Sequence, residues 1–518
     1  MVEQPAVADD RAPAPTATLT RTTLVAACLS VAAAQLCLTL PSAINGNIQA
    51  HFHSTGSQLA WVTSAFILPT AILELNFGLL GDMFGRKALL VYGGFLLAVG
   101  NLVDVVAPTI HLMWVGQALS GIGAAMLFPS SLAVIAAGTP DPGDRAKALA
   151  RWALSLSIAS ALGPLIAGVI AELTVYQWVF VVPLIFGVIV GVVNVFAVTD
   201  SRAPEGRKLD WPGQITVALA LFGLLWATLQ GSAAGWGAPA VIIVYVLAVV
   251  FLVLFVFVEL CSGAPMFKLD LLKIPAFAGA AGVALVGMLG FIGTAYSVSI
   301  RVGVVQHRDS LHTAFPFVLV QAIPLLLAPV LSRLLRQVNP RWLLAGGLLP
   351  LAVGQFWFAA LPISNSSMLA LVPPALLLGI GFILVVSSLT AAAVNSVPVG
   401  LAGMASAATS LVREFGQVLG PAVISAIMLG QAGSAMAGQL EHAGVSGGQL
   451  HAALGANHGG GPLAVVTGDF GDHVHSASLL AMQHGLTIGI VVCGIASLVG
   501  AVISVVVIRP AHPELVAV

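Results

Sequence analysis

One turn in this chain reads Gly78-Leu79-Leu80-Gly81-Asp82-Met83-Phe84-Gly85-Arg86-Lys87, and it joins two long apolar runs at about 58–80 and 88–107. Glycine tolerates tight turns and lets helices approach closely, so the three glycines favour a sharp reversal between packed helices. The carboxylate of Asp82 can accept from a helix N-terminus or from a basic side chain. The two basic residues at its end indicate a cytoplasmic turn if the flanking runs span a membrane.

The composition excludes several classes of protein. Of the 518 residues, 58% are hydrophobic and 8% are charged, against roughly 25% charged in an average soluble domain. Most of this sequence could not face water, so a soluble multidomain protein is excluded. The formal net charge of -1 provides no basic surface for nucleic acid. The 4 cysteines lack the spacing of a zinc site or redox motif, so we expect no metal, disulfide or redox centre.

Long apolar runs recur along the whole chain. A run of about 18 or more apolar residues predicts a spanning helix, because a hydrocarbon core of ~30 Å needs about 20 residues at a rise of 1.5 Å. Fourteen such runs lie at about 23–44, 58–80, 88–107, 111–137, 147–171, 177–198, 212–231, 238–260, 276–300, 312–335, 342–361, 367–395, 402–430 and 482–508. The sequence therefore predicts an all-α polytopic membrane protein with 14 transmembrane helices.

The 19 Lys and Arg residues are distributed unevenly between the connections. Nearly all of them fall in the tails and in one set of alternate connections. The exceptions are Arg301 and Arg308, on the other side, and Arg413, inside a predicted span. Because basic residues favour the cytoplasmic side, both termini are predicted to be cytoplasmic.

Three stretches resemble motifs of the major facilitator superfamily. The turn 78–87 is similar to the loop G-x-L-a-D-r-x-G-r-k, with Met83 where the family usually has a basic residue. The stretch Ala161-Leu162-Gly163-Pro164-Leu165-Ile166-Ala167-Gly168 is similar to the antiporter motif G-P-x-x-G-G, and 121–125 resembles the glycine-rich end of a fourth-span motif. Proline breaks a helix bond and small residues allow close helix contact, so a bend and seal are expected there. With the span count, the resemblance implies the fourteen-helix drug:proton antiporter branch.

A weaker repeat in the second half agrees with the major facilitator fold. The stretch 331–341 falls where a second copy of the charged turn would lie, and Gly420-Pro421 echoes Gly163-Pro164. Two six-helix bundles plus two extra central helices are implied. The expected parts are a cytoplasmic tail (1–22), an N-terminal bundle (23–199), a linker with the two extra helices (200–275), a C-terminal bundle (276–508) and a cytoplasmic tail (509–518).

The usual coupling residues of this branch are missing. The family usually has Asp in the first span and Arg in the fourth, where Cys37 and Gln117 stand here. An ionisable residue at membrane depth is a functional candidate by default. Glu74, about 12 Å along its helix from the charged turn, is therefore our preferred proton carrier.

Three further charged residues, Asp104, Arg413 and Glu414, fall within predicted spans. Asp104 is expected at a solvated mouth, near the external end of its span. Adjacent helix positions point about 100° apart, so Arg413 and Glu414 are each expected to need a partner elsewhere. A purely structural buried pair is the alternative.

Other side chains could line a central cavity. The polar candidates are Gln35, Asn45, Gln117, Gln321, Gln355 and Asn395, and an apolar wall could come from Trp61, Trp114, Phe128, Phe291, Phe356 and Trp357. Ordinary helix packing or an interfacial belt explains any single one of them better.

The connection 431–481 is rich in glycine and histidine and has no Lys or Arg. We expect a flexible external loop. Its histidines lack helical pairing, so we expect no metal site there.

The resemblance implies secondary, proton-coupled efflux of small amphipathic drugs or antibiotics across a bacterial cell membrane. An uncoupled facilitator or metabolite importer, or a non-transporting membrane sensor, is the alternative. An ATP-driven pump is not expected, because the G-x-x-x-x-G-K-[ST] loop is absent, and no nucleophile and base suggest an enzyme. The expected partners are a small-molecule substrate and the lipid bilayer, with no cofactor and a monomeric state.

Overall fold

A computed structural model describes residues 19–139, 141–202, 210–263, 265, 268–397 and 402–508. In these ranges 14 helices are long and apolar enough to cross a membrane, which confirms the predicted number. The helices are α1 (Arg21–Thr39), α2 (Asn45–Phe52), α3 (Gly56–Phe84), α4 (Arg86–Val106), α5 (Ile110–Gly138), α6 (Pro142–Leu173), α7 (Val181–Ala197), α8 (Trp211–Ala234), α9 (Pro239–Cys261), α10 (Pro275–Ser299), α11 (Ser310–Gln337), α12 (Pro340–Ala360), α13 (Met368–Val394), α14 (Ala402–His442), α15 (Gly447–Gly460), α16 (Pro462–Val466) and α17 (Asp472–Val506). Most of the predicted tails lies outside the described residues.

Side-chain caps fix several helix starts. Thr20 accepts from the Thr23 N–H at α1, and Thr55 and Gln58 form a reciprocal capping box at α3. Asp309 accepts from the His312 N–H at α11. Such caps satisfy amides that have no partner within the helix. A short π turn, Ile300–Val305, follows α10.

The helices pack in two sets that meet along a few pairs. In the first set α4 packs against α5 and α7, and α1 packs against α6. In the second, α10 and α12 both pack against α17, and α12 also against α13. The pairs α3–α14 and α6–α11 join the two sets, while α8 packs against α3, α14 and α9. The bundle boundaries at 199 and 276 themselves stay a prediction.

The expected flexible loop at 431–481 is wrong. The structure folds it into a helical cap, in which α14 continues to His442, α15 and α16 follow, and α17 begins already at Asp472. The cap has its own apolar cluster, which includes Met436, Leu440 and Val474. Helical spacing of these apolar residues outweighs the glycines, which had suggested a loop.

Candidate functional site

A cavity of about 1340 Å³ lies between the two sets of helices. Pockets for drug-sized molecules commonly measure roughly 300–1,000 Å³, so this one has room for such a molecule. Its lining reaches Asp82, Arg86 and Lys268, at the end of the protein where the basic residues cluster, called here the basic end. The wall is mostly apolar, and it includes the predicted Phe128, Phe291, Gln35, Asn45 and Gln321.

At the opposite end the two sets of helices are in direct contact. The Asn45 side-chain amide donates to the Ser299 hydroxyl at 2.9 Å, and the Ser310 hydroxyl donates to the Asn47 side chain at 2.7 Å. The Tyr296 hydroxyl donates to the Gly56 carbonyl oxygen at 2.9 Å. These bonds join α2 and α3 on one side to α10 and α11 on the other. The cavity is therefore closed at this end.

The glycines of the predicted antiporter motif lie in this closed region. A Cβ at Gly168 would stand 2.9 Å from the Ser310 carbonyl oxygen and 3.1 Å from Leu311 Cα, so α6 and α11 meet without space for a side chain. A Cβ at Gly163 would clash with the Thr39 hydroxyl, where α1 ends. Pro164 lines the cavity between these two contacts.

The predicted charged turn binds the segment that follows α7. Arg86 Nη2 donates to Asp82 Oδ1 at 2.7 Å, and Arg86 Nη1 donates to the Ser201 hydroxyl at 3.2 Å. The Lys87 N–H donates to Asp200 Oδ1 at 3.3 Å. Gly85 adopts a φ of 117°, a conformation that side chains rarely adopt. Gly78 and Gly81 lie in the last turns of α3, and a Cβ at Gly81 would stand 3.2 Å from the Leu89 side chain, so the start of α4 packs closely there.

Three charged residues come together in the cavity wall. Arg413 Nη2 donates to Glu414 Oε1 at 2.9 Å, and Glu74 on α3 lies within electrostatic reach of both. The expectation that Arg413 and Glu414 each need a partner elsewhere is wrong, because the two long side chains meet although they start from divergent positions on the helix. All three line the cavity, and we call them the charged cluster. Two carboxylates and one guanidinium give it a formal charge of −1 when all are ionised.

Asp104 and Gln117 do not lie where the sequence suggested. Asp104 is fully buried rather than at a solvated mouth. Its Oδ2 accepts from Gln117 Nε2 at 2.7 Å, so the two residues pair between α4 and α5 and neither lines the cavity. The Asn101 side-chain amide on α4 donates to Cys37 Sγ on α1 at 3.4 Å. Cys37 and Gln117, which the sequence comparison placed at the two coupling positions, are thus both buried and hydrogen-bonded.

Two further polar candidates also lie outside the cavity wall. Gln355 is buried and bonded to Thr294 and Ser497, so it joins helices α10, α12 and α17. Asn395 is exposed and ends α13. Trp61 and Trp114 contact each other, with ring centroids 5.7 Å apart, instead of facing the cavity.

Two residues not predicted from the sequence, Tyr296 and Ser299, line the cavity and also close it. Tyr296 is one of only 4 tyrosines in the chain, and it stands in an otherwise apolar run. A hydroxyl in such a run needs a partner when buried, which is the signal that could have identified it.

The sequence model of one protein family, the Major Facilitator Superfamily, matches residues 23–421 of this chain. The chain belongs to this superfamily. It is therefore a multi-pass membrane protein of a transporter family.

Curated relatives of this superfamily member include two resistance proteins. It is 28% identical over 404 residues to "Multidrug resistance protein Stp" of Mycobacterium tuberculosis (strain CDC 1551 / Oshkosh), covering 77% of this chain and 74% of the relative. It is 25% identical over 413 residues to the "Tetracenomycin C resistance and export protein" of Streptomyces glaucescens, covering 79% and 76%.

Solved structures share the fold at low identity. The crystal structure of a bacterial homolog to the human lysosomal transporter Spinster, in an inward-facing and unoccupied conformation, matches with a TM-score of 0.62. The identity is 15%, with 95% of this chain and 98% of that one covered. This likeness concerns the fold alone.

Proposed function

We propose that this protein is a secondary active exporter of small amphipathic compounds, driven by proton exchange through alternating access. In this proposal the basic end faces the cytoplasm, because basic residues favour that side, and the cavity closed at the other end corresponds to the state open to the cytoplasm. The proposed exporter is a monomer without a cofactor, and the proton gradient is its energy source. Resistance and export proteins among the relatives support the direction and the substrate class.

The charged cluster is the observation that carries the proposal. Arg413 and Glu414 compensate each other, so an ionised Glu74 leaves one uncompensated negative charge in the cavity. Sealing a net charge away from water is costly. Either a proton on Glu74 or a cationic group of the substrate removes that charge.

If the proton on Glu74 and the cationic substrate exclude each other, binding of one releases the other, and the protein exchanges substrate for protons. With substrate bound, the deprotonated cluster is neutral overall and the cavity can close at the basic end and open at the other. After release, a proton taken up from outside neutralises Glu74 and permits the return. A ligand drives such a shift only through its different affinity for the two states, and charge compensation supplies that difference.

The test is accumulation of tetraphenylphosphonium, a lipophilic cation, in proteoliposomes with an imposed pH gradient. Wild type should accumulate it, and collapse of the gradient with nigericin should abolish accumulation. Glu74→Gln mimics the protonated state and leaves a bound cation uncompensated, so it should lose accumulation. The matched control Glu441→Gln changes an exposed carboxylate of the helical cap and should behave as wild type.

Accumulation by Glu74→Gln at the wild-type level would contradict the coupling role of this residue. Downhill flux that ignores the gradient in wild type would instead indicate an uncoupled facilitator or importer. Helix α1 itself carries no carboxylate, and this favours that second candidate function.

A further inference from the structure

A second groove lies on the outer surface, between α1, α6 and the start of α7. Its volume is about 660 Å³, and it shares no lining residue with the central cavity. On α6, Trp152, Leu156 and Ser160 face the cavity, whereas Ser155, Ile158 and others face the groove. The two recesses therefore lie on opposite sides of one helix.

The groove is charged at one end and apolar along the rest. Arg21 and Arg151 stand at the basic end, and residues such as Leu29, Leu162 and Phe186 form the walls. From Arg21 to Leu36 the groove follows α1 for about 22 Å at a rise of 1.5 Å per residue. This length exceeds the ~15 Å that one leaflet contributes to a ~30 Å hydrocarbon core, so an acyl chain fits along it.

The two arginines lack acidic partners within the part of the chain that the structure describes. The ion pairs there at the basic end use other residues, such as Lys147 with Asp144 and Arg202 with Asp200. Arg151 lies within electrostatic reach of Cys28, which is seven residues after the start of α1. The positive charge of Arg151 therefore reaches past the first turns of that helix. An arginine on the lipid-facing surface at this depth is costly without an anion.

We propose that this groove binds an anionic phospholipid. The phosphate lies between Arg21 and Arg151, and one acyl chain packs along the apolar walls. Guanidinium groups suit phosphate because they offer two parallel donors, and the apolar walls select a lipid over a free phosphate. The inference does not depend on the proposed transport cycle, since the site lies outside the cavity.

Bound lipid would tie α1 to α6, so it should stabilise the fold. The experiment measures thermal unfolding and lipid retention by native mass spectrometry for the purified full chain in detergent. Phosphatidylglycerol should raise the unfolding temperature and remain bound, while phosphatidylcholine and glycerol 3-phosphate should do neither.

The double variant Arg21→Gln/Arg151→Gln should bind phosphatidylglycerol about thirtyfold more weakly, as expected for two basic contacts near an anionic headgroup. The double variant Arg21→Lys/Arg151→Lys should retain most of the binding, since it keeps both charges. Lys147→Gln/Arg202→Gln removes two basic residues from the same end and should bind as wild type. Ala32→Phe fills the groove while keeping both arginines, and it should lose retention.

Unchanged retention in Arg21→Gln/Arg151→Gln would overturn the site. Equal loss in the Lys147→Gln/Arg202→Gln control would show nonspecific attraction to the basic end, and equal stabilisation by phosphatidylcholine would show that headgroup charge is not recognised. Either result would also overturn the proposal. If the glutamine variant fails to fold, Ala32→Phe decides, and full retention there would refute the acyl-chain contact.

Discussion

Adding one methyl group at position 168 should shift this protein toward the state that opens opposite the basic end. In the Gly168→Ala variant the new Cβ would lie 2.9 Å from the Ser310 carbonyl oxygen and 3.2 Å from Ala314 Cβ. Overpacking of this kind costs roughly 1–3 kcal/mol. The cost applies only while α6 and α11 touch, so the ratio of the two states should change by roughly 5- to 150-fold.

The assay is the distance between spin labels on Thr174→Cys and His307→Cys, at exposed positions beside the ends of α6 and α11. The exposed Cys261 and the half-buried Cys28 are replaced by serine, so that the remaining native cysteines are buried. Gly168→Ala should add or enlarge a population at longer distance. In the matched control Gly346→Ala, nothing lies within 4 Å of the new Cβ, so the distribution should not change. A wild-type distribution in Gly168→Ala would refute the assignment of this contact as a seal.

Further predictions concern the charged turn, the helical cap and the start of α11. Asp82→Asn should abolish accumulation of the lipophilic cation while leaving membrane insertion intact, because it weakens the charge-assisted bonds to Arg86; accumulation near the wild-type level would count against a gating role. Leu440→Ala removes a fully buried side chain from the cap cluster and should cost about 2–5 kcal/mol there, seen as faster hydrogen exchange confined to 436–481; unchanged protection would mean that the cap does not fold as a unit. The pKa of Asp309 lies below its ordinary value of 3.8: partial burial raises it, but hydrogen bonds and charge from His312 and the charge of Arg308 lower it more. At pH values above 3.8 the ionised Asp309 carboxylate therefore stabilises α11. This stabilisation is lost as the pH falls through the pKa of Asp309 in the folded protein, which is lower than 3.8. Asp309→Asn should keep the cap yet flatten the dependence of thermal unfolding on pH below about 4, and an unchanged acid transition would show that Asp309 is not its source.

The fold was largely predictable because membrane helices must satisfy their backbone internally and need a long apolar run. The charged turn 78–87 lies at the basic end of the cavity, and the antiporter motif 161–168 lies at its closed end. The helical cap was not predictable in the same way. Its glycines and histidines hide a short amphipathic pattern whose apolar face gains stability only when α14, α15 and α17 meet.

The candidate site was predictable only in part, because pairing between helices depends on register. Glu74 was identified from depth alone, and it does line the cavity. Asp104 and Gln117 are 13 residues apart on successive helices, and only the packing of α4 on α5 shows that they bond. The bond between Arg413 and Glu414 depends on side-chain rotamers, which helix geometry does not reveal.

Proton release on addition of tetraphenylphosphonium to the purified protein, in weakly buffered solution, tests the exchange at the charged cluster most directly. Release is expected from wild type and from Glu441→Gln and none from Glu74→Gln, while Glu414→Gln should release less than wild type, because Arg413 then compensates Glu74. Unchanged release from Glu74→Gln, together with its loss in Glu414→Gln, would contradict the account and place the exchanged proton on α14.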